Sequence, residues 1–286
     1  MELADVIPPF FTSILRSLYS GSGRKIFSSY REAMAACSTR GYENADIVNI
    51  VVEKTKRYRD NILETTTSVQ CGTSTAYSLC SVLASVQSSA THVLDFGGAA
   101  GAHYFLARSV LPSTCKLKWL VVETPAMAEA AEKHLANDEL HFLSNLSEAA
   151  ITLERIDLVH TSGALQYVED PCAHLEKLVD LGAGRILLNR LGLTRGQNEV
   201  VTVQESLLSK NGPGPMPQGM SDRKVRYPYV LPRECSFMEI LTRKYRVAFV
   251  FDDQSGFFPV RSEPIVGMSL LAERKVPADL GHNQSS

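Results

Sequence analysis

The chain has 286 residues, of which 44% are hydrophobic and 21% charged, and its formal net charge at pH 7 is −2. This length and composition suffice for a large core, as in a globular protein of one domain or of one domain with an appendage. The near-neutral charge argues against nucleic-acid binding as the main task, because phosphate backbones require clustered cations.

The cysteines and the N-terminal segment indicate a compartment. The six cysteines are scattered and form no CxxC pair, which predicts reduced, mostly buried thiols in a cytoplasmic protein. The first residues, MELADVIPPFFTSILRSLYSG, carry acids ahead of an apolar run that is too short to span a bilayer. We therefore expect no signal peptide and no integral membrane segment. A helix packed on the protein is the simpler prediction for this run, and a helix lying on a membrane surface is the alternative.

Residues 1–90 are predicted to form an N-terminal helical cap. Apolar residues recur at helical spacing in YREAMAACSTRGYENADIVNIVVEKTKRYRDNI, with a break at TRGYEN, and STAYSLCSVLASVQSS predicts a further helix. In KTKRYRD, the side chains of Lys54, Arg57 and Asp60 fall on one helical face, which we expect to be solvated, with part of a substrate mouth as the alternative.

From His92 onward, strands and helices alternate. The predicted strands are HVLDFG, KLKWLVVET, HFLSNL, IDLVHTSG and GRILLNRL, and the predicted helices are HYFLARSVL, PAMAEAAEKHL, LSEAAITL and PCAHLEKLVDLG. Strands rich in Val, Leu and Ile, separated by helices of about ten residues, are typical of a parallel sheet covered by helices on both faces. We therefore predict an α/β domain over residues 91–275.

The alternation stops in residues 192–235, which contain KNGPGPMPQGMSDRKVRYPYVLPRE and are predicted to form a long loop. Long loops in compact domains are usually functional or disordered, so this insertion is a candidate substrate lid. A helix (FMEILTRKY) and two final strands (RVAFVFDD and EPIVGMSLLAER), joined by a QSG turn, predict a closing β-hairpin. Residues 276–286 are predicted to be a disordered tail.

The turn after the first predicted strand, VLDFGGAAG, is a candidate ligand site, because ligands of such sheets bind at the strand ends and at helix N-termini. A dinucleotide-binding turn, G-x-G-x-x-G, would have glycine at positions 97, 99 and 102, and only Gly97 matches. The pattern acid-x-G-x-x-x-G is matched by Asp95, Gly97 and Gly101. Gly97 and Gly98 lack the Cβ that would block a ligand, and an acid suits a cationic ligand such as S-adenosyl-L-methionine.

The same turn resembles motif I of class I S-adenosylmethionine-dependent methyltransferases, acid-x-G-x-G-x-G, from which it departs at Ala99. DLVHTSGALQYVEDP resembles the fourth-strand motif of that fold. SYREAMAACSTRGYENADIVNIVVEKTKRYRD, VVETPAM, LLNRL, NGPGP and EPIVG extend the resemblance along nearly the whole chain, to a methyltransferase family whose genes often accompany surface-polysaccharide genes. The resemblance implies a Rossmann-like class I methyltransferase fold, with a mostly parallel seven-stranded sheet closed by an antiparallel β-hairpin.

The resemblance also implies the cofactor and its contacts. In this fold an acid at the end of the second strand accepts hydrogen bonds from both ribose hydroxyls of the cofactor, and Glu123 occupies that position. Residues that end the third strand usually contact the adenine. The contacts implied for S-adenosyl-L-methionine are Asp95, Gly97, Gly98, Gly101, Glu123, Thr124, Ser144, Asn145 and Thr161.

Three side chains at the ends of the fourth and fifth strands, His160, Tyr167 and Arg190, are candidates for catalysis. Histidine titrates near neutral pH, so His160 would suit deprotonation of a hydroxyl, or it is a hydrogen-bonded histidine in a buried strand. Tyr167 either walls the methyl acceptor or is a packing residue. Arg190, beside the candidate substrate contact Asn189, would hold a carboxylate or phosphate or form a rim salt bridge. His103, in the first helical turn after the glycines, is expected to pack or to lie on the cofactor side.

The segment SDRKVRYPY supplies further predicted substrate-binding residues, Arg223, Arg226 and Tyr227. They would belong to a lid over an anionic or sugar-nucleotide substrate, and a solvated edge is the alternative. The chain contains no HxH, HExxH or spaced carboxylate cluster, so no metal site is predicted.

These patterns together predict a cytoplasmic S-adenosylmethionine-dependent methyltransferase that acts at oxygen on a small molecule or glycan precursor. No nucleic-acid partner is expected, and a homodimer is left open. One alternative is an NAD(P)-dependent oxidoreductase, which the absent glycines and the terminal hairpin disfavour. Another is a non-catalytic protein that keeps the cofactor pocket for stability or partner binding.

Overall fold

The computed structural model describes residues 24–37, 44–64, 72–252, 260 and 263–276. The helices in these ranges are α1 (Tyr30–Ala35), α2 (Ala45–Glu64), α3 (Thr73–Ala84), α4 (Ala102–Val110), α5 (Pro125–Leu135), α6 (Leu146–Leu153), α7 (Pro171–Asp180) and α8 (Glu234–Lys244). The strands are β1 (Ala90–Phe96), β2 (Lys116–Val122), β3 (Leu140–Leu143), β4 (Leu158–Ser162), β5 (Arg185–Thr194), β6 (Val200–Leu207), β7 (Lys224–Leu231), β8 (Tyr245–Asp252) and β9 (Ile265–Arg274). Short 3₁₀ helices span Leu165–Tyr167 and Leu208–Lys210. Within the described ranges, no helix combines the length and the apolar character needed to cross a membrane.

The main sheet has seven strands in the order β3-β2-β1-β4-β5-β9-β8. Strands β1 to β5 pair in parallel, whereas β9 runs antiparallel to both β5 and β8. This arrangement confirms the predicted class I methyltransferase fold, with its mostly parallel sheet and closing antiparallel hairpin. The predicted QSG turn between β8 and β9 lies outside the described residues.

The sheet is buried on both faces, as its apolar strands predict. Successive side chains of a strand point to opposite faces, so neighbours in sequence join different cores. Val93 and Trp119 belong to the buried cluster formed with α2, α4 and α5. Leu94 and Leu120 belong to the cluster formed with α6, α7 and α8. The carboxyl ends of the parallel strands are therefore held between two packed layers.

Helices α5 and α6 begin and end at the predicted residues, and their first residues explain why. Pro125 opens α5 where its missing N–H costs no hydrogen bond. Asn145 caps α6, because its side chain accepts hydrogen bonds from the backbone N–H groups of Ser147 and Glu148. Such local signals fix where a helix starts independently of the rest of the fold.

The insertion at residues 192–235 contains strands, so the prediction of one long loop is wrong. β5 continues to Thr194, and β6 and β7 form a separate two-stranded antiparallel sheet in which Gln204 lies opposite Tyr227. β7 contacts the 3₁₀ helix Leu165–Tyr167 and α1. The insertion therefore brings a small sheet against the segment that follows β4.

Two of the described helices that precede β1, α2 and α3, share the core of the main sheet. Ile47 and Val51 of α2 lie in the same buried cluster as Trp119, and α2 packs against α4 and α5. The part of the proposed cap that forms α2 and α3 is therefore continuous with the α/β core, whereas α1 packs against β6 and β7. Residues 277–286 of the predicted tail lie outside the described residues.

The cysteines follow the prediction only in part. The five described cysteines are free thiols, as expected. Only Cys37 is buried, however, and Cys80 and Cys235 are exposed, so the expectation of mostly buried thiols is wrong for the described cysteines.

One face of α2 differs from the prediction of a solvated face. Arg57 and Asp60 are exposed, but Lys54 is only 2% exposed. Its Nζ donates hydrogen bonds to the backbone carbonyls of Ser209 (2.7 Å) and Asn211 (2.8 Å). Lys54 therefore anchors α2 to the 3₁₀ helix that follows β6.

Replacing Lys54 with Met should lower the free energy of unfolding by about 2 kcal/mol, measured by urea denaturation. The change removes two charge-assisted hydrogen bonds and leaves two carbonyls without their donor. Arg57→Met, an exposed change on the same helix, is the matched control and should shift stability by less than about 0.5 kcal/mol. Equal effects of the two variants would contradict the anchoring role.

Candidate functional site

The glycine turn joins β1 to α4 at the carboxyl end of the parallel strands. Gly97, Ala99 and Gly101 have positive φ angles of 68°, 50° and 79°. Gly101 caps α4, and its N–H donates to the carbonyl of Gly98 at 3.0 Å. The first N–H groups of α4 have no partner within the helix, so the turn can bind a polar or anionic group.

Glycine is required at two positions of the turn because of neighbouring atoms. A Cβ at Gly97 would lie 2.2 Å from the Cβ of Ala164, in the segment after β4. A Cβ at Gly98 would lie 2.4 Å from Oδ2 of Asp95. The backbone of the turn therefore packs directly against the carboxylate of Asp95 on β1. Ala99 fits where the methyltransferase motif has its middle glycine, but its left-handed φ is unfavourable for alanine.

Glu123 follows β2 and contacts the glycine turn. Its carboxylate accepts hydrogen bonds from the backbone N–H groups of Ala99 (3.0 Å) and Thr124 (2.8 Å). Burial raises the pKa of Glu123, against the opposing effect of these two donors. The Thr124 hydroxyl is buried and has no hydrogen-bond partner within the described ranges. A carboxylate and an unsatisfied hydroxyl therefore lie next to each other at the turn.

Asp95 lies beneath the turn and is fully buried. Its Oδ1 is hydrogen-bonded to Nδ1 of His160 (2.7 Å), and its Oδ2 accepts a hydrogen bond from Nε1 of Trp119 (3.2 Å). Burial favours the neutral acid, but the neighbouring His160 and Trp119 hold the pKa of Asp95 below its ordinary value. The direct cofactor contact predicted from the sequence does not fit this position. Asp95 can affect a ligand bound at the turn only indirectly, through its charge and by supporting the backbone of the turn.

His160 is fully buried, and both of its ring nitrogens are hydrogen-bonded. Nε2 is joined to the hydroxyl of Ser78 (2.9 Å), which also accepts from the amide of Asn189 (3.0 Å). The Oδ1 of Asn189 in turn accepts from the hydroxyl of Ser269 (2.7 Å). A general base needs access to its substrate, so this position favours the alternative of a hydrogen-bonded histidine in a buried strand. Asn189 is equally enclosed, which does not fit its predicted substrate contact.

Ser78, His160 and Asp95 have the hydrogen-bond order of a hydrolytic Ser–His–Asp triad. Ser78, however, lies within α3, is only 2% exposed and is held by Asn189. No substrate carbonyl can reach its hydroxyl. The three side chains therefore form part of a buried polar chain and do not support hydrolysis.

His103 lies in the first turn of α4 and is partly exposed. Its ring centroid is 4.7 Å from that of His160. Burial, reinforced by His160 and Arg190 and only partly opposed by Asp95, lowers the pKa of His103 to about 3. The imidazole next to the turn is therefore neutral at physiological pH.

Arg190 occupies a bulge of β5 opposite β9, with a φ angle of 53°. Its backbone N–H donates to the hydroxyl of Ser269 (3.0 Å), and its Nη2 donates to the carbonyl of Ser162 (3.0 Å). A Cβ at Gly163 would come within 2.6 Å of Nη2, so the guanidinium lies directly on that glycine. An exposed cation is thereby fixed beside the end of β4, where it can hold an anionic group.

Tyr167 belongs to a cluster of tyrosines between the 3₁₀ helix after β4, β7 and α1. Its ring is 5.3 Å, edge to face, from the rings of both Tyr227 and Tyr229. Its hydroxyl donates to Oε1 of Gln204 (2.7 Å), and its carbonyl accepts from the hydroxyl of Tyr30 (2.9 Å). The structure thus brings the predicted residues Tyr167 and Tyr227 together, although Tyr227 is buried.

Three further residues were predicted to contact the cofactor, and the structure describes the surroundings of each. Ser144 and Asn145 follow β3 and are exposed, and the Oδ1 of Asn145 is engaged as the cap of α6. Thr161 follows His160 in β4, so its side chain points to the opposite face of the sheet. Its hydroxyl is buried without a hydrogen-bond partner in the described part of the chain.

The structure does not bring together the two arginines of the insertion that were predicted to bind substrate, Arg223 and Arg226. Arg223 forms an ion pair with Asp46 of α2, and together with Met220 they line a surface cavity of about 330 Å³. Arg226 lies on β7 opposite Glu205. Arg223 therefore faces α2, away from the tyrosine cluster at the 3₁₀ helix.

Sequence reasoning missed three residues of this region: Trp119, Ser78 and Tyr229. Trp119 is the single tryptophan of the chain, and its place within an apolar strand is a signal that could have been used. Ser78 lies inside a helix and Tyr229 lies on an unpredicted strand, so neither carried a local signal.

No family model matches this chain, and no curated protein matches it. Among solved structures, the chain is similar to the CcbJ methyltransferase from Streptomyces caelestis, with 12% identity, 74% of this chain and 100% of that chain covered, and a TM-score of 0.46. It is similar to magnesium protoporphyrin IX methyltransferase (ChlM) from Synechocystis with bound SAM, with 13% identity, coverage of 78% and 97%, and a TM-score of 0.43. It is also similar to human N-acetylserotonin methyltransferase in complex with SAM, with 16% identity, coverage of 91% and 66%, and a TM-score of 0.43. At these sequence identities and TM-scores, the similarities assign no role to any residue of this chain. The fold is defined by the strand order of its main sheet.

Replacing Ala99 with glycine should raise the free energy of unfolding by about 0.5–1 kcal/mol in chemical denaturation. The left-handed φ costs alanine about 1–2 kcal/mol, which exceeds the entropic cost of about 0.5–1 kcal/mol that glycine brings. Gly97→Ala is the opposing variant and should cost about 2 kcal/mol or more, because its Cβ meets Ala164. A destabilised Ala99→Gly protein would show that the turn is not strained at this residue.

Proposed function

We propose that this protein is an S-adenosylmethionine (SAM)-dependent methyltransferase that methylates a small molecule or glycan precursor at oxygen. The observation that carries the proposal is the contact of Glu123, the acid after β2, with a glycine turn in a sheet closed by an antiparallel strand. In dinucleotide-binding folds the corresponding sheet consists of parallel βαβ units, including the strands at its edges. The antiparallel β9 between β5 and β8 favours the methyltransferase over the NAD(P) enzyme.

The residues at the turn suit SAM. The Glu123 carboxylate has two oxygens that would accept hydrogen bonds from the ribose hydroxyls. The buried Thr124 hydroxyl beside it lacks a partner within the described ranges, as expected of a group that a ligand completes. Because Gly97 and Gly98 lack a Cβ, the turn packs directly on Ala164 and Asp95, which would place a bound ligand close to that buried carboxylate. When bound, the cofactor supplies an electrophilic methyl group on a sulfonium.

The charge beneath the turn favours a cationic cofactor. The low pKa of Asp95 keeps this buried carboxylate ionised at neutral pH, while His103 is neutral. A negative charge in a poorly solvated site attracts a sulfonium and repels a pyrophosphate. The same argument therefore disfavours a nicotinamide dinucleotide.

We assign the acceptor to the region between the end of β4 and the β6–β7 sheet. Arg190 would hold an anionic group of the acceptor, and Tyr167, with Tyr227 behind it, would form a wall. Arg190 and Tyr167 adjoin the ends of β5 and β4 near the glycine turn. Because His160 is enclosed, catalysis in this proposal depends on positioning of the acceptor hydroxyl, the main source of rate enhancement in such transfers.

Replacing Glu123 with Ala should weaken SAM binding at least about tenfold in isothermal calorimetry. Each hydrogen bond to a charged group is worth about 1.5–3 kcal/mol, and about 1.4 kcal/mol corresponds to a factor of ten in affinity. Glu129→Ala, an exposed glutamate on α5, is the control and should leave the affinity unchanged. NAD is the comparison ligand. Binding of NAD but not of SAM by the unaltered protein would overturn the cofactor assignment.

Methyl transfer should appear as label moving from methyl-tritiated SAM into the small-molecule fraction of a metabolite extract. Arg190→Gln should lower this rate about tenfold or more with little change in SAM affinity, because it removes the charge that would hold the anionic group of the acceptor. Arg195→Gln alters an exposed arginine paired with Glu234 and should have no effect. Intact SAM affinity with no transfer to any fraction would favour the non-catalytic alternative.

A further inference from the structure

Three side chains beneath the glycine turn have the composition of a metal site. Asp95 of β1, His103 of α4 and His160 of β4 each offer a ligand atom, and these atoms all lie within 4.8 Å of one another. Asp95 and His160 are buried, and the partly exposed His103 provides a route from solvent. We propose that these three side chains bind a divalent transition-metal ion of the zinc class, and that this ion opposes SAM binding.

Asp95 and His160 already make hydrogen bonds to neighbouring side chains. In metal sites, hydrogen bonds of this kind orient the side chains that bind the ion. Nε1 of Trp119 donates to the Oδ2 of Asp95, which leaves Oδ1 directed at His160. Nε2 of His160 contacts the hydroxyl of Ser78, so Nδ1 is the nitrogen that would bind the ion in place of the proton shared with Asp95. Partners of this kind fix the ring orientation and tautomer of a ligating histidine.

The donor set selects the class of ion. Two imidazole nitrogens and one carboxylate oxygen suit Zn²⁺, Co²⁺ or Fe²⁺, whereas Mg²⁺ and Ca²⁺ prefer oxygen ligands throughout. Three protein ligands leave further coordination positions for water.

Only small movements are needed to close the site. Bonds of about 2.0–2.2 Å around a tetrahedral ion separate its ligand atoms by roughly 3.3 Å. Asp95 and His160 are 2.7 Å apart, and the His103 nitrogen lies no more than 4.8 Å from either. No described residue is hydrogen-bonded to the His103 ring, so rotation of this side chain would break no such bond in the described part of the chain.

An ion at this position would change the charge under the turn. It would replace the negative field of Asp95 with a net positive one, next to the place that we assign to the sulfonium. Two cations at short range in a poorly solvated site repel each other, whereas S-adenosylhomocysteine (SAH) carries a neutral sulfur. Ion and SAM should therefore weaken each other's binding, and ion and SAH should not. This second step rests on the proposed function, but binding of the ion itself does not.

The test of the ion site uses the full chain and zinc alone. Protein stripped with a chelator, incubated with zinc sulfate and dialysed should retain stoichiometric zinc, and cobalt should give the visible absorption of a nitrogen-ligated ion. His103→Gln, which keeps a polar side chain of similar size, should lose both signals. His134→Ala removes an exposed histidine at the end of α5 and should keep both. Failure of the unaltered protein to retain zinc, or equal retention by His103→Gln, would refute the site.

The opposition is tested by calorimetry with and without zinc. Zinc should weaken SAM binding about tenfold, equivalent to about 1.4 kcal/mol, and should change SAH binding less than about twofold. His103→Gln should show neither change. If the affinity for SAM is the same with and without zinc, although zinc stays bound, the proposed antagonism between ion and SAM is wrong. Absence of SAM binding even without zinc would instead count against the proposed function and leave the zinc result intact.

Discussion

The hydrogen bond between Asp95 and His160 is the interaction on which the ligand-binding edge of this sheet depends. A carboxylate with no exposed surface needs donors, and removing one partner of such a buried pair typically costs about 3–5 kcal/mol. Trp119 satisfies the other oxygen of Asp95, and Ser78 holds the far side of the imidazole. β1, β2, β4 and α3 are thereby fixed to one another at the point where the glycine turn begins. The turn takes its shape from this support, since Gly98 lies on the carboxylate and Gly97 lies against Ala164.

The sequence predicted most of the fold because the fold depends on local and periodic signals. Apolar strands, Pro125 at the start of α5 and the Asn145 cap of α6 are each visible within a few residues. The β6–β7 sheet escaped prediction because Pro228 lies within β7 and because the segment that joins the two strands, NGPGPMPQGM, is rich in glycine and proline. Pro228 lies within β7, a position that an isolated two-stranded sheet tolerates more easily than a central strand would.

The site was less predictable, because residue types follow from a motif but side-chain directions and partners follow from packing. The sequence indicated an acid at the end of each of the first two strands. Only the structure separates their tasks, with Glu123 at the turn and Asp95 beneath it. In the same way, the sequence left His160 open as a base or as a hydrogen-bonded histidine in a buried strand, and its enclosure depends on Ser78, a residue 82 positions away in the chain. Interactions between residues this distant leave no pattern in a single sequence.

Part of the region assigned to the acceptor belongs to the small β6–β7 sheet, whereas the residues assigned to the cofactor belong to the main sheet. The glycine turn and Glu123 depend on the register of β1 and β2, which the buried pair beneath them holds. Tyr227 and Tyr229 belong to a two-stranded sheet that is not hydrogen-bonded into the main sheet. Substitutions in that small sheet can therefore change the acceptor surface without altering the strand register under the turn. Under the proposed function, the insertion can tune the part of the acceptor surface that Tyr227 supports, whereas Arg190 and the use of SAM are tied to the main sheet.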